Sequence, residues 1–419
     1  MTFVHGSTVM TRRPRPGVWR TRAAALALIL LATRLPLMDH PMPVHPDAAM
    51  FVEAIGFPAT YPVHHPGYPL WIALGTLTAW LGLNGYAAFQ FWSVIASVVA
   101  PLFLYTGLRW LVRDALAWWL ALALGLNPVV WFTGCSALNY VAGGTVGLLV
   151  VGLFWKALAG PRSGMMRRGA WVLGIGLFLR PDLLMWLGPM LAVVAWRFRR
   201  RGGRAAGLLV AAAFMGLLGL TALIYGRADI GRPHPELMHT LDRVTATSVF
   251  RIGLVDGLVR NAVKFGVNLT WDFGAAILLF VPAVLRNRRW RSRPPGIGPF
   301  MLLWTAPLLA FVLLIHMTEP GHILLLIPAG YVAIGLYLHT ACGRRRAVRL
   351  AAAMAVCSAV QFLAYPWSPH GTGLKRLLDA KITFLSAAGL RHIDQRQDIH
   401  TPGDFWPTAA HHGKGVRKN

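Results

Sequence analysis

The stretch that decides the fold is residues 167–201, RRGAWVLGIGLFLRPDLLMWLGPMLAVVAWRFRRR, one apolar run with arginines at both ends. The run is interrupted once, by Arg180-Pro181-Asp182. Lys and Arg concentrate in cytoplasmic loops, so a single crossing would leave one basic cluster on the wrong side of the membrane. Proline disfavours a helical backbone at and before its own position. We therefore predict two short crossings, 170–179 and 183–196, with an outer turn at Arg180-Pro181-Asp182.

Apolar runs bounded by charge recur along the whole chain. Of the 419 residues, 56% are hydrophobic and 13% are charged, whereas a soluble domain carries about 25% charged residues. This composition excludes a soluble enzyme and a disordered chain, and it predicts an all-α polytopic membrane protein with about eleven transmembrane helices. Besides the two crossings above, the predicted spans are 23–38, 86–108, 115–133, 137–158, 205–225, 265–285, 299–316, 322–341 and 347–365.

The excess of basic residues predicts the orientation of these spans. Lys and Arg number 41 against 15 Asp and Glu, a formal net charge of +26, which in a soluble protein would indicate a nucleic-acid partner. Here most of the basic residues precede the first span or lie in alternate loops, so they predict an inner N-terminus and an outer C-terminus and argue against nucleic acid. All carboxylates except Asp114 then lie outside or at the outer ends of spans. Carboxylate and histidine chemistry is therefore expected on the outer face.

The spans form one transmembrane domain, residues 1–365, followed by a polar outer tail, 366–419. Two outer loops are long, 39–85 and 226–264. The first contains an apolar stretch, 68–83, which we expect to be an interfacial helix, because a further crossing would move every later basic loop outside. Trp71 and Trp80 in this stretch suit an aromatic belt at the membrane surface.

The first outer loop carries the clearest candidate chemistry. Residues 39–69 read DHPMPVHPDAAMFVEAIGFPATYPVHHPGYP, with the carboxylates Asp47 and Glu53 just outside the membrane. A general base must accept a proton near neutral pH while held close to a substrate hydroxyl, and a partly desolvated carboxylate meets that demand. Asp47 follows Pro46 and is equally suited to cap a short helix. The two interpretations are compatible.

These motifs resemble the GT-C superfamily of polytopic glycosyltransferases, which includes protein O-mannosyltransferases and aminoarabinose transferases. In the family the first outer loop has an acid near its start, here Asp47, and ends in a His-Pro-Pro-Gly-Tyr-Pro type motif. This chain has HHPGYP at 64–69, with His65 in place of the first proline. Further similarity lies in NPVVW at 127–131, GLFLRPD at 176–182 and EPGHILLLIP at 319–328, where His322 replaces an aromatic residue.

The resemblance implies transfer of a sugar from a polyprenyl-phosphate donor to a hydroxyl acceptor, with inversion at the anomeric carbon and Asp47 as general base. The acceptor would be a glycan, a lipid or a protein, and membrane lipids would surround the protein. The implied location is the bacterial plasma membrane, with the active site on its outer face. The implied substrate-binding residues are Glu53, His64, His65, Tyr68, Arg180, Glu319 and His322.

Several of these residues also have a purely structural interpretation. An arginine at a turn can bind a phosphate in a bidentate manner, but Arg180 is equally able to pair with Asp182 and hold the turn. Glu319 and His322 would contact the carrier head group or belong to a solvated turn. We expect Arg34, near the outer end of the first span, to extend its guanidinium to the interface.

Other functions and cofactors stay open at this point. A transporter or lipid flippase would need charged sites at mid-membrane and often shows inverted repeats, and the His65 and His322 departures fit a non-catalytic lipid-binding protein on the same scaffold. No cofactor is identified from the residues, and the spacing of the three cysteines does not support a zinc site. A divalent metal remains an option, with candidate ligands His64 and His65 beside Asp47 or Glu53, or else His234, Glu236 and His239.

Overall fold

The computed structural model describes residues 16–38, 46–56, 67–160, 162–225, 245, 248–285, 296–315 and 320–364. This part of the chain is helical and contains no strand, which confirms the predicted all-α class. Its helices are α1 (Pro16–Arg34), α2 (Pro46–Gly56), α3 (Pro69–Trp80), α4 (Gly85–Leu108), α5 (Asp114–Gly125), α6 (Pro128–Cys135), α7 (Tyr140–Ala159), α8 (Ser163–Leu179), α9 (Leu183–Arg197), α10 (Gly203–Tyr225), α11 (Val249–Ile252), α12 (Leu254–Phe273), α13 (Ile277–Leu285), α14 (Ile297–Leu314), α15 (Leu326–Ala341) and α16 (Arg344–Ala364).

Several of these helices have the length and apolarity of membrane spans. Among the described residues, α4, α7, the part of α10 up to Leu220, and α14 qualify alone, and α5 with α6 qualifies as one span bent by 56°. The helices α9 and α15 are apolar but shorter. Each predicted span overlaps one of the described helices or a pair of them. The number of crossings and their orientation stay predictions.

The break predicted inside residues 167–201 is confirmed. Helix α8 ends at Leu179 and helix α9 begins at Leu183. The backbone N–H of Leu183 donates to the carbonyl of Arg180 at 3.2 Å, which closes a tight turn between the helices. At about 1.5 Å per residue, helices of 17 and 15 residues are each roughly 25 Å long.

Helix α3 forms within the stretch 68–83 and packs antiparallel to the first half of α4. The Thr78 hydroxyl donates to the Ala88 carbonyl at 3.0 Å, and the Trp92 indole donates to the Leu74 carbonyl at 2.9 Å. Trp71 is fully buried, so its predicted place in an aromatic belt is wrong, because this side of α3 packs on α4. Trp80, by contrast, is exposed. That α3 lies at the membrane interface stays a prediction.

Helix α12 begins inside the segment 226–264 that the sequence assigns to an outer loop. Its outward face is apolar, with exposed Val255, Val259 and Val263 spaced one turn apart. The opposite face carries the buried Asn261, whose amide donates to the Leu313 carbonyl of α14 at 3.1 Å. This part of α12 therefore packs on the bundle with one face and presents a lipid-compatible face outward.

The bend between α5 and α6 leaves backbone groups that need partners inside an apolar bundle. The Asn127 side-chain oxygen accepts from the backbone N–H of Val129 at 3.1 Å and of Val130 at 3.3 Å, which caps the start of α6. The Tyr331 hydroxyl of α15 donates to the Ala123 carbonyl at 3.2 Å near the end of α5. Backbone groups on both sides of the break thus have side-chain hydrogen-bond partners.

Arg34 completes this cap and does not extend to the interface as expected. Its residue is 0% exposed, its Nη2 donates to the Gly125 carbonyl, and its Nε donates to the Ser97 hydroxyl at 2.7 Å. The guanidinium carbon also lies 5.9 Å from the centre of the Trp131 ring. A cation at a helix C-terminus is favourable, and here the guanidinium is bonded to the carbonyl at the end of α5. The predicted extension of Arg34 is therefore wrong.

Arg34→Met should destabilise the protein, because it preserves much of the side-chain volume but leaves the Gly125 carbonyl and the Ser97 hydroxyl without this donor. A loss on the order of 1–3 kcal/mol is expected for a buried charged hydrogen-bond network. The thermal unfolding midpoint of the purified protein in detergent measures it, with the exposed Arg204→Met as control. Equal midpoints for the two variants would contradict the capping role.

Candidate functional site

The candidate site is built around Arg180, at the turn between α8 and α9. Arg180 is buried, and the Asp182 carboxylate accepts hydrogen bonds from its Nε at 3.0 Å and from its Nη2. The structural interpretation of Arg180, a pair with Asp182 that holds the turn, is therefore confirmed. Nη1, in contrast, donates to no protein group in the described part of the chain. One edge of the guanidinium is thus engaged, and the edge that includes Nη1 is not.

Two aromatic rings lie against the same guanidinium. Its central carbon is 4.5 Å from the centre of the Tyr140 ring, at the start of α7, and 5.4 Å from the centre of the Trp186 ring, in the first turns of α9. Cations are attracted to aromatic faces, and more strongly where water is excluded. These contacts restrict the orientation of Arg180 in addition to its pair with Asp182.

The Arg180 guanidinium keeps its positive charge despite its burial. Burial lowers the pKa of its guanidinium, but the Asp182 carboxylate more than offsets this and holds the pKa above its usual value. Tyr140 and Tyr68 add smaller contributions in the same direction. Arg180 is therefore a permanent cation, and Tyr68 of the predicted site lies close enough to interact with it electrostatically.

Two glycines permit this close packing. A Cβ on Gly143 of α7 would overlap the Arg180 side chain, and a Cβ on Gly321 would lie 2.6 Å from Cγ of the Tyr140 ring. Gly321 belongs to the 3-10 turn Pro320–Ile323. The RPD turn and the turn Pro320–Ile323, far apart in sequence, are therefore brought together through the Tyr140 ring between them.

The turn that leads into α7 is held in place by α4. The Gln90 amide donates to the Cys135 carbonyl at 2.8 Å, and the Ser93 hydroxyl donates to the Leu138 carbonyl at 3.0 Å. The neighbouring Asn139 amide donates to the Leu179 carbonyl, next to Arg180, at 3.3 Å. Buried backbone carbonyls that would otherwise be unsatisfied thus fix the position of the segment before Tyr140.

Tyr68, just before α3, joins helix α2 to the site. Its ring makes an edge contact with the ring of Phe51, with 5.6 Å between centres. Phe51 is buried in α2 and also contacts the rings of Trp71 and Phe89. Position 47 lies one turn before Phe51 on the same helix, and residues four apart share a helix face. The backbone of α2 therefore places position 47 on the face that packs toward Tyr68.

The predicted site residues fall into four groups. Tyr68 and Arg180 are brought together, whereas Glu53 is exposed on α2. Asp47 lies in the first turn of α2 and His322 in the turn Pro320–Ile323, but their side chains are outside the described residues. Also outside the described residues are His64, His65 and Glu319.

Sequence reasoning missed two aromatic residues of the site, Tyr140 and Trp186. Both stand near the ends of apolar runs, where tyrosine and tryptophan are common as belt residues. The available signal in the sequence was the position of Trp186, which lies one helical turn after Asp182. Aromatic rings near a buried arginine are frequent partners of its charge.

A metal centre finds no support in the described residues. No group of three or more His, Cys, Asp and Glu side chains converges there. The residues predicted as candidate ligands, His64, His65, His234, Glu236 and His239, lie outside the described ranges. The metal option thus stays untested.

No family model and no curated protein sequence matches the chain. Among solved structures it is similar to ArnT, an aminoarabinose transferase, from Cupriavidus metallidurans. The form bound to undecaprenyl phosphate matches with a TM-score of 0.56 and 15% identity, over 93% of this chain and 76% of that chain. The apo form matches with a TM-score of 0.53 and 16% identity, over 93% and 73%.

An oligosaccharyltransferase from Archaeoglobus fulgidus, in complex with Zn and sulfate, matches with a TM-score of 0.46 and 14% identity, over 86% of this chain and 52% of that chain. ArnT and this enzyme are both GT-C glycosyltransferases. The likeness to ArnT shows that the chain has the GT-C fold, as its motifs predict. With its apolar helices, the chain is a multi-pass integral membrane protein.

Gly143→Ala should destabilise the protein by about 1–3 kcal/mol, because the added methyl group forces Arg180 away from Tyr140. Its neighbour Gly144 supplies a matched control in the same helix, since a Cβ there meets only Leu324 at 3.8 Å. Gly144→Ala should be neutral or stabilising. Thermal unfolding in detergent compares the two variants, and a Gly143→Ala midpoint at or above that of Gly144→Ala would exclude the packing described.

Proposed function

We propose that the protein is an inverting GT-C glycosyltransferase that moves a sugar from a polyprenyl-phosphate donor to a hydroxyl acceptor on the outer face of the membrane. The observation that carries the proposal is Arg180, a buried permanent cation against the rings of Tyr140 and Trp186, whose Nη1 has no acceptor in the described residues. The fold shared with ArnT supports the donor class, because ArnT has been crystallised with undecaprenyl phosphate.

Arg180 is suited to receive the charge of the leaving group. As the bond from the anomeric carbon to the phosphate oxygen breaks, negative charge grows on the lipid phosphate and needs preorganised donors. Asp182 holds Nε and Nη2, which leaves Nη1 for a phosphate oxygen. Pairing with Asp182 and binding of phosphate are therefore compatible, and the pair orients the free edge before the donor arrives.

Asp47 is proposed as the general base. The acceptor oxygen forms the new bond to the anomeric carbon, its proton passes to the Asp47 carboxylate, and the lipid phosphate leaves with the bonding electron pair. Support comes from the position of Asp47 in the first turn of α2, on the helix face that packs through Phe51 toward Tyr68. The other proposed substrate contacts are Glu53, His64, His65, Glu319 and His322.

The proposed arrangement in the membrane follows the charge pattern. About eleven spans, an inner N-terminus and an outer C-terminus place the turn at Arg180 and the first outer loop on the same side. The plasma membrane of a bacterium is the proposed location. The transmembrane domain of residues 1–365 would carry the chemistry, and the loop 226–264 with the tail 366–419 would select the acceptor.

Asp47→Asn should lower the rate of sugar transfer by about 10²–10⁴-fold, the contribution of a positioned general base, while donor binding persists. Asp114→Asn makes the same chemical change at the carboxylate that pairs with Arg22, outside the proposed site, and should leave the rate of the folded protein unchanged. Turnover of radiolabelled polyprenyl-phosphate sugar with membrane extract as acceptor source measures transfer. Wild-type turnover by Asp47→Asn would refute this base, and donor binding without any wild-type turnover would favour a non-catalytic lipid-binding protein.

A further inference from the structure

Trp186 has a buried donor for which the described part of the chain offers no acceptor. The residue is 3% exposed, and its indole Nε1 has no hydrogen-bond partner in the described part of the chain. Native proteins satisfy most buried polar groups, so each unsatisfied one calls for an explanation. An acceptor supplied by a bound ligand is one such explanation, provided that the location suits a ligand.

The location of Trp186 is the candidate site itself. Its backbone N–H donates to the Asp182 carbonyl at 3.2 Å, one turn earlier in the chain, and its ring lies under the Arg180 guanidinium. The unengaged Nη1 of Arg180 and the unsatisfied indole N–H therefore belong to side chains in contact with each other. Two donors without acceptors, one of them cationic, are what an anionic oxygen requires.

An unsatisfied indole alone does not make a site. Trp71 and Trp304 are also buried with unpaired Nε1 atoms. Trp71 packs among the rings of Phe51 and Phe89, and in the described residues no guanidinium lies over Trp71 or Trp304. Only Trp186, of these three, combines the free N–H with a buried cation.

We propose that the Trp186 indole donates a hydrogen bond to a phosphate oxygen of the lipid donor, beside the bond from Nη1 of Arg180. This proposal rests on the proposed function and adds a second, neutral ligand for the phosphate. Asp182 is a positioning residue, since it holds the opposite edge of the guanidinium. A neutral donor is useful here because Asp182 already offsets the charge of Arg180, which weakens attraction for an incoming anion.

Trp186→Phe tests the proposal, because it keeps an aromatic ring at this position and removes the N–H together with part of the indole. Binding of undecaprenyl phosphate to the purified full chain in detergent is titrated by native mass spectrometry, with undecaprenol, which lacks the phosphate, as the second ligand. The dissociation constant for the phosphate should rise roughly tenfold, as expected for one lost hydrogen bond to a charged group. The dissociation constant for undecaprenol should not change. Trp304→Phe, the matched control, should bind both lipids as the wild type does.

The ratio of the two dissociation constants separates the proposals. A wild-type chain that prefers neither lipid overturns the proposed function together with this inference. A wild-type preference for the phosphate that Arg180→Gln abolishes, but that Trp186→Phe retains in full, overturns the role of Trp186 alone. Partial misfolding of Trp186→Phe would weaken the binding of both lipids equally and leave the ratio of their dissociation constants as in the wild type. An unchanged ratio therefore counts against the inference in that case too.

Discussion

The pair between Arg180 and Asp182 is the interaction on which the rest of the site depends. Burying an unpaired guanidinium costs several kcal/mol, so a buried arginine requires a partner with good geometry. The partner here lies two residues away, on the other side of Pro181, and the pair therefore closes the turn between α8 and α9. The packed Arg180 side chain leaves no room for a side chain at Gly143. Its guanidinium also lies against the Tyr140 ring, which in turn packs on Gly321.

Arg34 shows a second way of accommodating a buried cation in the same bundle. It has hydroxyl and carbonyl partners, and these include the carbonyl at the C-terminal end of α5. The bend between α5 and α6 is tolerated because its freed backbone groups are satisfied by side chains. Helix α6 leads to the turn before Tyr140. The cap at Arg34 therefore supports the position of Tyr140 in the site indirectly. Arg34 thus stabilises the break between α5 and α6, whereas Arg180 belongs to the candidate site.

Much of the helical pattern could be predicted from the sequence, because apolar runs and basic loops report directly on membrane insertion. The break at Arg180-Pro181-Asp182 followed from a proline and two basic flanks. The burial of Arg34 and Trp71 could not be predicted, since the depth of a side chain in a bundle depends on partners distant in sequence. Tyr140 and Trp186 were missed for a related reason: an aromatic residue near the end of a span has the same local pattern in a site as in a belt. Asp47, His64, His65, Glu319 and His322 stay predictions.

A structure of the full chain with undecaprenyl phosphate, determined by cryo-electron microscopy, tests the central claim most directly. We expect the phosphate to lie within hydrogen-bond distance of Nη1 of Arg180, with Asp182 still on the opposite edge of the guanidinium. We also expect Asp47 to face the same space as the phosphate. A phosphate bound elsewhere in the protein, without contact to Arg180, would contradict the account.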